Sequence, residues 1–284
     1  MHSFEDKTNT YMSNQQLPYR TFTINGELTQ EHINFFNKNG FIHFKNFLSK
    51  NEVTDIWGSI SEVHSQWIAE NKEKINGIPI VYGEDEKGNK IVQRSPFTSL
   101  FSSNLHAFIK SGKLKPFLKL LPNPDARLTE NEKDGVVVNH YINHKNSELK
   151  QMGWHTDSAR DIFYFQKVQP MLNVGLYMTD STKAHGGLKV LPGTHNQSVR
   201  SLLFKKTQFV SMAADKNEVG IEAEAGDLVI HNGAIWHRVA MSELTGGPSR
   251  RITMYVPIIC GKQIIKHDHS KTPFYHKLRF LARK

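Results

Sequence analysis

From residue 135 to residue 259 the chain is written in short apolar runs punctuated by Gly, Pro and Asn, and this texture limits its fold more than any other feature. Short strands separated by turn residues are the signature of an antiparallel sandwich or barrel. The pattern predicts strands over 136–142, 152–155, 171–178, 187–191, 227–231 and 251–259. Upstream the signals are helical. Thr29, with Glu31 in the first turn, starts a helix with Ile33, Phe35 and Phe36 on its apolar side, and Asn39-Gly40 stops it. Ser49 and Glu52 form a capping box ahead of Val53, Ile56, Trp57 and Ile60, in a helix expected to run to about Asn71. Residues 41–44, 78–82 and 92–94 read as extended, and 100–109 and 113–121 as helical. Helices followed by strands give an α+β fold with helices packed on one sheet.

The organisation expected is a flexible segment at 1–22, a single domain over 23–261 and a basic segment at 262–284. Composition excludes several classes. No apolar run approaches the ~20 residues a membrane span needs, so no membrane is expected as a partner. Cys260 is the only cysteine, which rules out an intrachain disulfide and a thiolate metal site. Together with an N-terminus lacking the basic-then-apolar order of a secretory signal, this points to the cytoplasm. The net charge of +9 suits an anionic partner. Much of the excess lies in the C-terminal segment, and no aromatic-basic alternation accompanies it, so a solvated tail is preferred to a nucleic-acid groove.

One cluster carries chemistry. In Gly153-Trp154-His155-Thr156-Asp157, an extended backbone sends His155 and Asp157 out of the same face, where both reach one ion. With His237 downstream they make two imidazoles and a carboxylate, the facial triad that holds non-haem iron(II) and leaves half its coordination sphere open. By themselves such pairs are common among 15 histidines. Gln93 and Arg94 line a substrate pocket or else sit on an exposed edge strand. Trp154 and Tyr164 wall the pocket or belong to the core. His195 reads as a structural hydrogen-bonder, His231 as a core histidine or else a group supporting the metal ligands, and His267 and His269 as an exposed pair without a carboxylate.

Several separate motifs agree with one family. Phe35-Phe36-Asn37-Lys38-Asn39-Gly40-Phe41-Ile42, then Trp154-His155-Thr156-Asp157, then Gly186-Gly187-Leu188-Lys189-Val190-Leu191-Pro192-Gly193-Thr194-His195, then Gly226-Asp227-Leu228, His237 and Arg251 resemble, in this order, the phytanoyl-CoA dioxygenase family. The resemblance implies a double-stranded β-helix, a cupin-like jelly roll, with its core at about 135–259. It further implies Fe(II), 2-oxoglutarate as cosubstrate and O2, with an aliphatic C–H of a small molecule as the expected site of hydroxylation. The presence of Asp157 sets the chain apart from family halogenases, in which a small residue replaces the carboxylate. The distal carboxylate of 2-oxoglutarate needs a forked cation. Arg251, which shares a strand face with Thr253 and Tyr255, is preferred for it over Arg250. Asn139 and Tyr141 face the cosubstrate, unless Val138 and His140 do. A free or carrier-linked amino acid or a natural-product carboxylic acid is the preferred substrate. The competing readings are a non-redox cupin-like metalloenzyme and a basic nucleic-acid-binding module with an incidental metal.

Overall fold

Two capped helices open the fold in the computed structural model, which describes residues 19–163, 167–273 and 276. The Thr29 hydroxyl accepts from the His32 amide while the His32 ring accepts from the Thr29 amide. Helix α1 (Gln30–Asn39) therefore starts at Thr29, and it ends at Gly40, whose φ of 78° suits a residue without a side chain. The Ser49–Glu52 capping box starts α2 (Lys50–Ala69), where buried Ile56, Ile60, Val63 and Trp67 recur at helical spacing along one face. A third helix, α3 (Ser103–Lys110), buries Leu105 and Ile109.

The strands are β1 (Phe41–Phe44), β2 (Val81–Glu84), β3 (Lys90–Ser95), β4 (Val137–Tyr141), β5 (Met152–His155), β6 (Met171–Tyr177), β7 (Gly187–Val190), β8 (Leu228–Asn232), β9 (His237–Ala240) and β10 (Arg251–Ile259), with two-residue pieces between them. The larger sheet runs β1-β8-β6-β10-β4-β3-β2 and the smaller places β9 between β7 and β5. All pairings within these sheets are antiparallel. The two sheets face each other as an α+β jelly roll. Strand alternation divides the larger sheet. Ile252, Met254 and Val256 of β10 join Leu172, Val174 and Leu176 of β6 in an outer core covered by α1, α2 and α3. Helices thus lie on one sheet, as expected. The opposite face turns towards the smaller sheet. There Tyr177 and Val229 pack on Leu188, Val190 and Ile235, closing one part of the interior with apolar side chains. Gly175 on this inner face makes room for Tyr255, since a Cβ would stand 2.9 Å from its ring.

The described residues of the two terminal segments lie against the domain. In the segment read as flexible to residue 22, Phe22 is buried and bridges Phe44, and the Tyr19 hydroxyl lies 3.0 Å from His43 Nδ1. Ile265 bridges Glu132, and the Lys266 amide donates to Asn131 O, so this part of the basic segment lies along the domain. Strand β9 escaped the apolar pattern because His237 and Arg238 open it.

Two buried histidines, His64 on α2 and His140 on β4, make stability sensitive to acid. His64 bonds Ser95 Oγ at 2.8 Å and His140 packs edge-on to Trp57. Burial pulls their pKa values down to about 4 and about 3. Each folded value lies below that of the unfolded chain, so unfolding takes up protons below pH ~6.5. Stability present above that pH is lost as pH falls towards 4, by about 3 kcal/mol per histidine. Urea unfolding at pH 7 and pH 4.5 checks this, and His64→Gln should flatten the difference.

Candidate metal centre

Gly153 sets up the site by allowing close approach: a Cβ there would lie 2.5 Å from the carbonyl of Phe209. The 209–211 backbone pairs beside β5, with the Trp154 amide donating to Ser211 O and the Phe209 amide to Trp154 O. Alternation then separates neighbours. Trp154 points away from the interior, packs with Leu191 and Trp236, and donates its indole N–H to Ala213 O. It belongs to the core and does not wall the pocket, which corrects one substrate-binding expectation. His155 points inward, and Phe209 stacks on it with ring centroids 4.7 Å apart.

His155 and His237 are register partners on β5 and β9, and their rings lie 4.1 Å apart. Asp157, just past the end of β5, brings Oδ2 to 3.6 Å from His237 Nε2. One ligand atom from each of His155, Asp157 and His237 lies within 4.8 Å of the others. The backbone orients both rings: His155 Nδ1 is 2.8 Å from Gly153 O and His237 Nδ1 is 3.1 Å from Ile235 O. A carbonyl oxygen only accepts, so each Nδ1 carries the proton and each Nε2 offers its lone pair. Burial, then the His155 ring, hold His237 well below its usual pKa and hence neutral. Burial alone would raise the Asp157 carboxyl, but the imidazoles of His237, His231 and His155 hold it well below the carboxylate range. Two neutral imidazoles and one carboxylate, with no thiolate, fit a divalent first-row cation.

Two further residues reach this carboxylate: Asn173, which sequence reasoning missed, and His231, for which core packing was preferred to a place beside the metal ligands. Asn173 Nδ2 donates to Asp157 Oδ2 at 2.6 Å, and His231 Nε2 stands 3.5 Å from the same oxygen. His231 is therefore at the cavity and not in the outer core. Asn173 was visible as the lone amide of an otherwise apolar strand.

The centre lines a cavity of about 120 Å³ between the sheets, together with Asn139, Tyr141, Tyr255 and Arg94. Asn139 and Tyr141 face inward, as one of the two alternatives had it, and among the described residues Asn139 Oδ1 is buried without a hydrogen-bond partner. Arg251 shares their side, with its guanidinium 5.1 Å from the Tyr141 ring centroid and Nη2 donating to Lys150 O at 3.2 Å. Its Nε and Nη1 are buried and have no hydrogen-bond partner among the described residues. Arg250 points the other way, 3.8 Å from Glu86. Gln93 is a correction: its amide oxygen accepts from the Glu148 and Leu149 amides and its nitrogen donates to Ser147 Oγ. It fastens the 147–149 loop and has no place in the cavity lining. Arg94, one residue on, does face the cavity and pairs with Asp134 at 2.7 Å. Tyr164 lies outside the described residues. His195 bonds the Asn37 carbonyl against Gly40, and His267 and His269 are exposed. Among the described residues no helix is long and apolar enough to cross a membrane.

A sequence profile described as phytanoyl-CoA dioxygenase (PhyH) matches residues 36–251. No curated protein sequence matches the chain. Among solved structures, EctD from S. alaskensis in its apoform is similar with a TM-score of 0.60 and 13% identity, over 90% of this chain and 85% of that one. The non-haem alpha ketoglutarate dependent carbocyclase SnoK from nogalamycin biosynthesis has a TM-score of 0.59 and 17% identity, over 84% and 87%. EvdO2 from Micromonospora carbonacea var. aurantiaca, complexed with 2-oxoglutarate, has 0.58 and 12%, over 87% and 98%. At these identities the likeness is one of fold.

Proposed function

The chain belongs to the phytanoyl-CoA dioxygenase family of 2-oxoglutarate-dependent non-haem iron oxygenases, and on that premise we propose that His155, Asp157 and His237 hold its iron(II) while Arg251 holds the distal carboxylate of 2-oxoglutarate. The observation that carries this reading is the convergence of three ligand atoms within 4.8 Å, on the inner face that also presents Arg251. Iron(II) with 2-oxoglutarate and O2 supplies oxidative decarboxylation of the 2-oxo acid and the oxidant for the substrate. The chain supplies everything else. Gly153 O and Ile235 O fix the tautomers of the two histidines, and Asn173 holds the carboxylate that would bind the metal. Asn139 and Tyr141, which line the cavity, would flank the cosubstrate, and the apolar contact of the sheets would exclude water from one side of it.

The proposed reaction is hydroxylation of an aliphatic C–H in a small molecule, with an amino acid or natural-product carboxylic acid, free or carrier-linked, as the substrate class. Arg94 among the cavity-lining residues supports an anionic partner. Purified enzyme with iron(II), 2-oxoglutarate and air should release succinate when supplied with the right member of a panel of amino acids, carboxylic acids and thioesters. Turnover that persists without 2-oxoglutarate or O2 would favour non-redox metal chemistry instead.

A further inference from the structure

The cavity beside the metal ligands is small, and its walls differ in how they are held. Its volume of about 120 Å³ is close to the roughly 150 Å³ of a hole that takes one benzene ring, so 2-oxoglutarate alone would use most of it. The substrate carbon brought to the metal must then fit against the remaining wall. The charged part of that wall is fastened by ion pairs, with Arg94 and Arg160 both on Asp134 and Lys133 on Asp161. Among the described residues, every apolar side chain of the lining but one stands on a strand of the two sheets; the exception is Phe209.

Phe209 is placed there by β5 and the turn after it. Its amide donates to Trp154 O at 2.7 Å, and Ser211 O accepts from the Trp154 amide at 2.8 Å. Gln208 adds an anchor: its Oε1 accepts from the amide of Thr156, between two of the metal ligands, at 3.0 Å, and its Nε2 donates to Leu202 O at 2.8 Å. These contacts set Phe209 at φ 64°, a left-handed conformation that is rare for a bulky side chain and clusters at functional sites. A glycine would adopt it without strain, so the backbone gives no reason for the ring. The same segment leaves Phe204 and Val210 exposed, so burial of apolar surface is not the rule that turns Phe209 inward. Its ring lies on His155, with planes at 24°. Register separates this wall from the cosubstrate end: His155 pairs with His237, whereas Met152, earlier on β5, pairs with Val239 and packs with Tyr141, the register partner of Arg251.

We propose that Phe209 is the specificity-determining residue for the substrate: its ring takes up the space beside His155 and restricts the reacting end to a compact aliphatic chain, excluding an aromatic ring. This rests on the metal-centre reading above and narrows its substrate class. The discrimination is steric. One methylene more or less in an apolar pocket changes selection by roughly 10- to 200-fold, and a ring is a larger misfit than a methylene. Removing the Phe209 ring vacates a hole of a ring's own shape beside the metal ligands, and an aromatic acid can fill it with its own ring.

The test is thermal-shift titration of the enzyme loaded with manganese(II) and 2-oxoglutarate, using hexanoate and hydrocinnamate, two carboxylates that differ in the tail. The parent should bind hexanoate at least about tenfold more tightly than hydrocinnamate. Phe209→Ala should bind hydrocinnamate at least about tenfold more tightly than the parent does, with 2-oxoglutarate binding within about twofold of the parent, which also reports that the variant is folded. Phe209→Leu, a milder change, should show a smaller gain of the same sign and decides the matter if the alanine variant does not fold. A folded variant that gains no hydrocinnamate binding, or that loses affinity for 2-oxoglutarate instead, refutes the role of Phe209 alone. If 2-oxoglutarate does not stabilise the manganese-loaded parent enzyme, the metal-centre reading falls, and this proposal with it.

Discussion

Asp157→Ala is expected to abolish substrate oxidation and to lower affinity for the metal by well over a hundredfold. Asp157 is the one anion among the three donors, and without it two neutral imidazoles face a divalent ion in a buried cavity. The comparison that gives this meaning is Asn173→Ala. Asn173 touches the carboxylate and is not one of the three donors, and removing such an outer partner typically costs about 10- to 100-fold in metal affinity or activity. The order Asp157→Ala worse than Asn173→Ala, read by manganese(II) titration and by 2-oxoglutarate-dependent oxygen uptake, distinguishes a ligand from the residue that positions it. Undiminished product from the Asp157 variant would mean that the metal is held elsewhere.

The parts of this site that could be read in the sequence are those governed by local alternation. His155 and Asp157 share a face because the backbone is extended up to the turn, and that period also sends Trp154 into the core with Trp236. Applied consistently, it would have excluded Trp154 from the pocket wall. It would also have shown that Gln93 and Arg94, adjacent on β3, cannot both face the cavity; Arg94 does. On β4 alternation alone left two choices, and the outer core decided between them, since Val138 is packed with Val136 and Met254 beneath the helices. The helix starts were legible because caps are written in three or four residues. What could not be read were contacts fixed by pairing at long range. Asn173 and His231 are register partners on β6 and β8, and they meet Asp157 only once β5 has folded across them. Nor could the cluster around Asp134 be foreseen, since its cations come from β3, from the loop before β4 and from the turn after Asp157.

Arg251→Ala is expected to raise the 2-oxoglutarate requirement about a hundredfold, the equivalent of roughly 3 kcal/mol, which a forked contact to a carboxylate supplies in a buried site. Burial pulls the Arg251 guanidinium down to about 10, so at neutral pH it remains charged. Yet among the described residues its one hydrogen-bond acceptor is Lys150 O, with tyrosine rings around it. A side chain kept in that state for stability alone would be an unfavourable choice, because an unpaired buried cation opposes folding. Two consequences follow that a structural arginine would not share. The metal-loaded protein without 2-oxoglutarate should melt at the same temperature or higher when Arg251 is replaced by methionine, and added 2-oxoglutarate should stabilise the parent but not the variant. Arg251→Lys, which keeps the charge and loses the fork, should recover only part of the affinity. Arg250→Ala removes a half-exposed group 3.8 Å from Glu86 and should change the requirement by less than about threefold, as surface pairs are worth little. A larger effect at Arg250 than at Arg251, in KM for 2-oxoglutarate or in thermal shift, would exchange their roles and place the cosubstrate at the other face of β10.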